Sequence, residues 1–165
     1  MYKYNSKTNV KDKEFMMKAI ALSRKGMNSN AGGPFGAIVV KDGKIIGEGF
    51  NQVTSTNDPT AHAEIIAIRE ATRKLKDFQL SGCTIYTSCE PCPMCLGAIY
   101  WARPSRIVYA CSKKDAAAID FDDAFIYKEI ALENSQRSIK TIQLLQKEGK
   151  VVFKEWKNKK DRIDY

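Results

Sequence analysis

The stretch PFGAIVVKDGKIIGEGF, Pro34–Phe50, decides the fold. Two apolar, β-branched runs, PFGAIVV and KIIGEGF, flank Asp42-Gly43, a dipeptide that favours a two-residue hairpin turn. Upstream, Phe15, Met16, Ala19, Ile20 and Leu22 recur at helical spacing from about Val10, with Gly26 as a plausible stop. Downstream, NQVTSTNDP (51–59) is a polar loop, and Thr60 is placed to cap a helix running to about Lys76. TIYTS (84–88) is a short strand, Pro91 suits the first turn of a helix through about Ala102, and RIVYAC from Arg106 is another strand. This alternation predicts a mixed α/β sheet with helices on its faces. Beyond Asp120 the pattern is weaker. IKTIQLLQ (139–146) fits strand or helix by periodicity, and VVFKEWKNKK (151–160) reads as a final helix.

A chain of 165 residues, with 44% hydrophobic and 28% charged residues, suits one soluble domain spanning 1–165. No apolar run is long enough to cross a membrane, and the polar start MYKYNSKTNVKDKEF lacks a signal peptide's apolar core. A cytoplasmic protein is therefore expected. Five cysteines, three of them crowded into CEPCPMC, fit reduced thiols and metal ligands better than a disulfide framework. The formal charge of +8 gathers partly in the Lys-rich C-terminal segment. That charge suits either nucleic-acid attraction or a solvated helix face. The second is favoured, because no aromatic-and-glycine RNA-binding motif is interleaved with it.

The only histidine, His62, lies in NDPTAHAEIIAIRE (57–70), two residues before Glu64. Cys92 and Cys95 sit three apart at a helix start, which puts both sulfurs on one face near the electropositive helix end. Two helix starts, each following a sheet element, can bring one imidazole and two thiolates onto a single zinc ion. Three protein ligands leave a fourth position open for water, the mark of a catalytic rather than a structural site. Glu64 is then available to move protons. Two other arrangements stay open on spacing alone: Cys89 as a fourth ligand of a structural site, or the start of an iron–sulfur motif. The latter lacks the fourth cysteine of the bacterial run.

His-Ala-Glu followed by Pro-Cys-x-x-Cys, with the flanks PTAHAEIIAIR and TSCEPCPMCLGAI, resembles the zinc-dependent nucleobase and nucleoside deaminases. GGPFGAIVVKDGKII, CLGAIYWARP, FDDAFIYKEI and the final tyrosine narrow the resemblance to the bacterial guanine deaminases. It implies a three-layer α/β/α cytidine deaminase-like fold with a central mixed five-stranded sheet, IKTIQLLQ being the fifth strand. It implies zinc on His62, Cys92 and Cys95, with water as fourth ligand. Glu64 would carry a proton from that water to a ring nitrogen of guanine, and Asp123 would help the amine leave. Asn51, Phe35, Ala63 and Trp101 would contact the purine. A homodimer is implied too, with the segment from about 148 to 165 exchanged, so that Tyr165 covers the active site of the partner subunit. Xanthine and ammonia would be the products, in purine catabolism or salvage. A tRNA adenosine deaminase shares the zinc motifs and is the nearest rival, and a deaminase of another nucleoside or amino-heterocycle, such as guanosine or cytosine, is a further alternative. A non-catalytic zinc-stabilised module, which has no use for Glu64, is the rival from another class.

Overall fold

The computed structural model describes residues 10–165, so the polar stretch 1–9 noted above lies outside the described residues. The chain forms two compact units that divide after Asp123. The first runs α1 (Val10–Asn28), β1 (Gly36–Lys41), β2 (Lys44–Phe50), a single turn α2 (Val53–Thr56), α3 (Ala63–Leu75), β3 (Thr84–Cys89), α4 (Pro93–Ala102), β4 (Arg106–Cys111) and the short α5 (Lys113–Ala117). The strands lie in the order β2-β1-β3-β4. β1 is antiparallel to both β2 and β3, and β3 is parallel to β4. The hairpin forms as predicted: Lys41 pairs with Lys44, and Asp42 and Gly43 both take positive φ.

Alternation along the strands gives each sheet face its own core. Ala37, Val39 and Ile85 meet Ala63, Ala67 and Ala71 of α3 and Ile99 and Ala102 of α4. Ile38, Val40 and Tyr86 face Ala19 of α1 on the other side. Helices on both faces make the three-layer α/β/α arrangement. β2 lies unusually close to α3, because a Cβ on Gly49 would fall 2.2 Å from the Ala63 carbonyl and one on Gly47 would fall 2.3 Å from that of Ala67. Two glycines on the strand and an alanine every fourth residue on the helix let the backbones touch, and this fixes where α3 begins.

Several sequence expectations shift in detail. α1 runs past Gly26, where a Cβ would strike the Phe50 ring at 2.7 Å, so this glycine serves close packing and Asn30 takes the left-handed conformation instead. Thr60 does not cap α3. Its backbone N–H and hydroxyl donate to Asp58 Oδ1, and the N-cap is His62. Pro91 precedes α4, while Cys92 is its N-cap and Pro93 opens the first turn.

The sheet has four strands among the described residues, not five. Residues 139–145, expected as the fifth strand, are irregular, and Ile139, Ile142 and Leu144 are all exposed. A strand is stable as a member of a ladder, and this segment pairs with none. The second unit consists of α6 (Ala124–Ala131), a 3-10 turn (Asn134–Gln136) and α7 (Gln146–Asn158). Glu129 clips the chain after α6, accepting from the Ser138 amide and hydroxyl at 2.8 and 2.9 Å. Among the described residues, no helix is long and apolar enough to cross a membrane.

One buried polar network ties α1 to the sheet. The Tyr86 hydroxyl and the Arg106 guanidinium both donate to the Asp12 carboxylate, and Arg106 also reaches the Tyr86 oxygen at 3.0 Å. Burial, with Asp12 beside it, pushes the Tyr86 phenol up to about 12. Asp12→Ala strands a buried hydroxyl and a half-exposed cation. Urea unfolding is expected to show a loss of about 2 kcal/mol, at the level of one charged hydrogen-bond network partner. A change under about 0.5 kcal/mol would refute the network's role in stability.

Candidate active site

Two helix starts build the site. His62 is the N-cap of α3 and Cys92 the N-cap of α4, both in extended conformation. Neither side chain makes a capping hydrogen bond. The helices are instead begun by backbone bonds, Ile66 N–H to His62 O at 3.0 Å and Leu96 N–H to Cys92 O at 2.8 Å. Both side chains are thereby turned to another purpose. Cys95, fully buried in the first turn of α4, completes the group.

His62 Nδ1 lies 3.6 Å from Cys92 Sγ and 3.5 Å from Cys95 Sγ. The three ligand atoms all fall within 4.8 Å of one another. A tetrahedral ion with thiolate sulfur at about 2.3 Å and imidazole nitrogen at about 2.0 Å separates those atoms by about 3.5 Å. The donor set and its spacing therefore fit zinc. The two sulfurs share a proton unevenly: a hydrogen bond from Cys95, assisted by His62, lowers the Cys92 thiol to about 4. Cys95, bonded to Cys92 and buried, is pushed far upward. The Cys92 sulfur in turn raises the His62 imidazole, against the opposing effect of burial. Cys89 lies outside this convergent group. Its thiol points to the Ser112 carbonyl at 3.6 Å, and burial raises it to about 11.

Glu64 follows His62 into α3 and is only 6% exposed. Its Oε2 accepts from the Cys95 thiol at 3.4 Å and its Oε1 from the Thr87 hydroxyl at 3.2 Å. Burial raises its carboxyl above the usual range, the first requirement of a group that takes up and returns a proton near neutral pH. Asp123, partly buried, is raised as well, first by burial and then by the charge of Cys92, so it lies within electrostatic reach of the sulfur.

The remaining sequence candidates fall into two sets. Asn51 is buried after β2, and its Oδ1 accepts from the Val53 amide at 3.1 Å. The next residue, Gln52, donates its N–H to Ala61 O, which joins this loop to the segment leading into His62. The ring of Phe35 packs edge-on against Phe121, with centroids 4.9 Å apart, two residues before Asp123. Ala63 is fully buried, with its methyl in the core between α3 and the sheet. Trp101 stands apart from these. It is exposed on α4, six residues beyond Cys95, which is about 9 Å along the helix axis. Tyr165 is exposed at the end of the second unit.

One residue that sequence reasoning passed over touches the site, Thr87, whose hydroxyl donates to Glu64. Thr87 had a readable signal. In TIYTS it falls on the same strand face as Ile85, toward α3, and a hydroxyl facing a core demands a partner.

A mixed sheet that offers one imidazole and two thiols from paired helix starts, with a buried carboxylate beside them, defines a zinc-binding deaminase. The chain belongs to the cytidine and deoxycytidylate deaminase zinc-binding region family, which matches residues 9–111. It is 52% identical to the guanine deaminase of Bacillus subtilis over 92% of this chain and 97% of that one. The crystal structure of the Bacillus subtilis enzyme superposes with a TM-score of 0.90, covering 93% of this chain and 98% of that chain. A tRNA-specific adenosine deaminase from Buchnera aphidicola is 42% identical over 77% of this chain and 82% of its own length.

Proposed function

We propose that this chain is a guanine deaminase, hydrolysing guanine to xanthine and ammonia. The observation that carries the reading is the buried Glu64 carboxylate set against three convergent candidate metal ligands, on a chain similar over 92% of its length to a guanine deaminase. His62, Cys92 and Cys95 would hold zinc with one position left over. When bound, zinc supplies Lewis acidity that brings the pKa of a water ligand toward neutrality.

The chain's own residues do the rest. Glu64 Oε2 lies on the Cys95 side, where it can take a proton from water and return it to a purine ring nitrogen. Water oxygen adds to C2 as that proton reaches the ring nitrogen, and the bond between C2 and its exocyclic nitrogen then breaks as the C2 oxygen becomes a carbonyl. Asp123, whose carboxyl burial raises above its ordinary value, would pass the proton released from the C2 hydroxyl to the departing amine, so that ammonia leaves. With the single imidazole assigned to the metal, the proton transfers would fall to carboxylates. Phe35 would pack on the purine plane, while Asn51 and the backbone at Ala63 would hydrogen-bond its edge. Trp101, distant along α4, would act only at the margin of the pocket.

Following the ultraviolet spectrum of guanine as it becomes xanthine, beside a panel of free bases, nucleosides and tRNA, tests this directly. Inosine formed in tRNA with guanine untouched would favour the adenosine deaminase reading, for which the +8 charge gives some ground.

The chain would work as a homodimer in the cytoplasm, a reducing compartment that suits its five unpaired thiols. Val151, Val152, Phe153 and Trp156 all expose apolar surface on α7, and a second copy would cover it by exchanging the segment from about 148 onward. Tyr165 would then close the site of the partner subunit. Deleting Tyr165 is expected to lower kcat/KM by about tenfold, the loss of roughly 1.4 kcal/mol of contact, with zinc retained. Unchanged kinetics would exclude that role.

A further inference from the structure

We propose that Thr87 is a positioning residue for the proton-transferring carboxylate. Its hydroxyl holds Glu64 in the orientation that the reaction uses. The proposal rests on the deaminase reading above, in which Glu64 moves the proton.

Thr87 is 1% exposed in the middle of β3, on the face that meets α3 and α4. Its neighbours on the strand serve other ends: Ile85 packs in the core, Tyr86 joins the Asp12 network, and Ser88 accepts from the Gly36 amide at 2.9 Å. The Thr87 hydroxyl donates to Glu64 Oε1 at 3.2 Å. The other oxygen, Oε2, accepts from Cys95 at 3.4 Å. These two bonds differ in kind. A metal-bound thiolate carries no proton, so Cys95 donates to Glu64 only while the site is metal-free. The Thr87 donor does not depend on the metal. In the loaded enzyme it anchors one oxygen and leaves the other directed to the metal side for proton transfer. A carboxylate at the start of a helix has several rotamers, and a fixed donor on the strand selects one of them. β3 is held between β1 and β4, so the donor itself is rigid.

Thr87→Val keeps the shape and removes the hydroxyl. It is expected to lower kcat for guanine by about 10- to 100-fold, with KM within about twofold. Zinc content and melting temperature should stay near wild type. Thr87→Ser, which restores a donor, should recover kcat to within about threefold of wild type. In a Glu64→Ala background, Thr87→Val should cost nothing further, and a crystal structure of the zinc-loaded Thr87→Val protein should show the Glu64 carboxylate reoriented. If the valine variant does not accumulate folded, Thr87→Ala serves the same comparison. Wild-type kcat in the Thr87 variants would overturn the proposal. So would a serine variant as slow as valine, or an undiminished loss in the Glu64→Ala background. Failure of the underlying reading looks different: wild-type protein inert toward guanine, or Glu64→Ala fully active. If another base on the panel is the substrate, the same comparisons run on that base.

Discussion

Glu64→Gln is expected to lower kcat by about 10³- to 10⁴-fold while leaving one zinc per chain. General acid–base groups contribute about 10²- to 10⁴-fold, and in the proposed reaction Glu64 would both take and return a proton, which places it at the upper end. Glutamine is nearly isosteric and can still accept from Thr87, so position and packing survive and only the proton-carrying function is lost. The metal should stay, because Glu64 is not among the three convergent ligands. Stability should not fall. Burial raises the folded-state pKa of Glu64, so in the metal-free protein its ionisation opposes folding progressively as pH rises above the ordinary glutamate range, and glutamine removes that cost. Metal analysis, melting temperature and steady-state kinetics together make the test. A variant within tenfold of wild type would remove Glu64 from the mechanism.

Cys95→Ala is expected to abolish zinc binding and reduce turnover by at least about 10⁴-fold, since the proton carrier is then left without activated water. Cys95 is fully buried and faces both His62 and Glu64, so no neighbouring side chain replaces its sulfur. Cys92→Ala should behave alike. Cys89→Ala supplies the contrast. That thiol addresses the Ser112 carbonyl and is held protonated by burial, so zinc content should remain at one per chain. Zinc lost as readily from Cys89→Ala as from Cys92→Ala would establish four protein ligands, a closed structural centre with no place for water. Metal content measured after gel filtration decides the matter.

Much of this architecture is legible because local signals there agree with the fold. Asp42-Gly43 suits a turn that needs positive φ twice, and the period-2 and helical patterns around it belong to elements whose faces are buried. The convergence of His62, Cys92 and Cys95 is legible for a related reason: spacing within a helix turn converts directly into distance in space. What stayed illegible depends on partners far along the chain. Gly26 looked like a helix stop, yet it is small because Phe50 lies against it. Thr60 looked like a cap, yet Asp58 captures its hydroxyl. In IKTIQLLQ the residue preferences allow a strand, but a strand needs an edge to pair with, and no local pattern reports that. The Thr87–Glu64 bond joins residues 23 apart in sequence, and only the packing of α3 on β3 brings it into being.

The solitary imidazole also makes the centre spectroscopically transparent. Since His62 is the only histidine, nitrogen-15 spectra of the ring carry one pair of resonances, with no assignment problem. Nδ1 faces the two sulfurs, which leaves Nε2 to hold the ring proton when a metal is in place. Occupancy, tautomer and exchange between loaded and empty protein can all be followed from that one reporter, in the intact enzyme and during turnover.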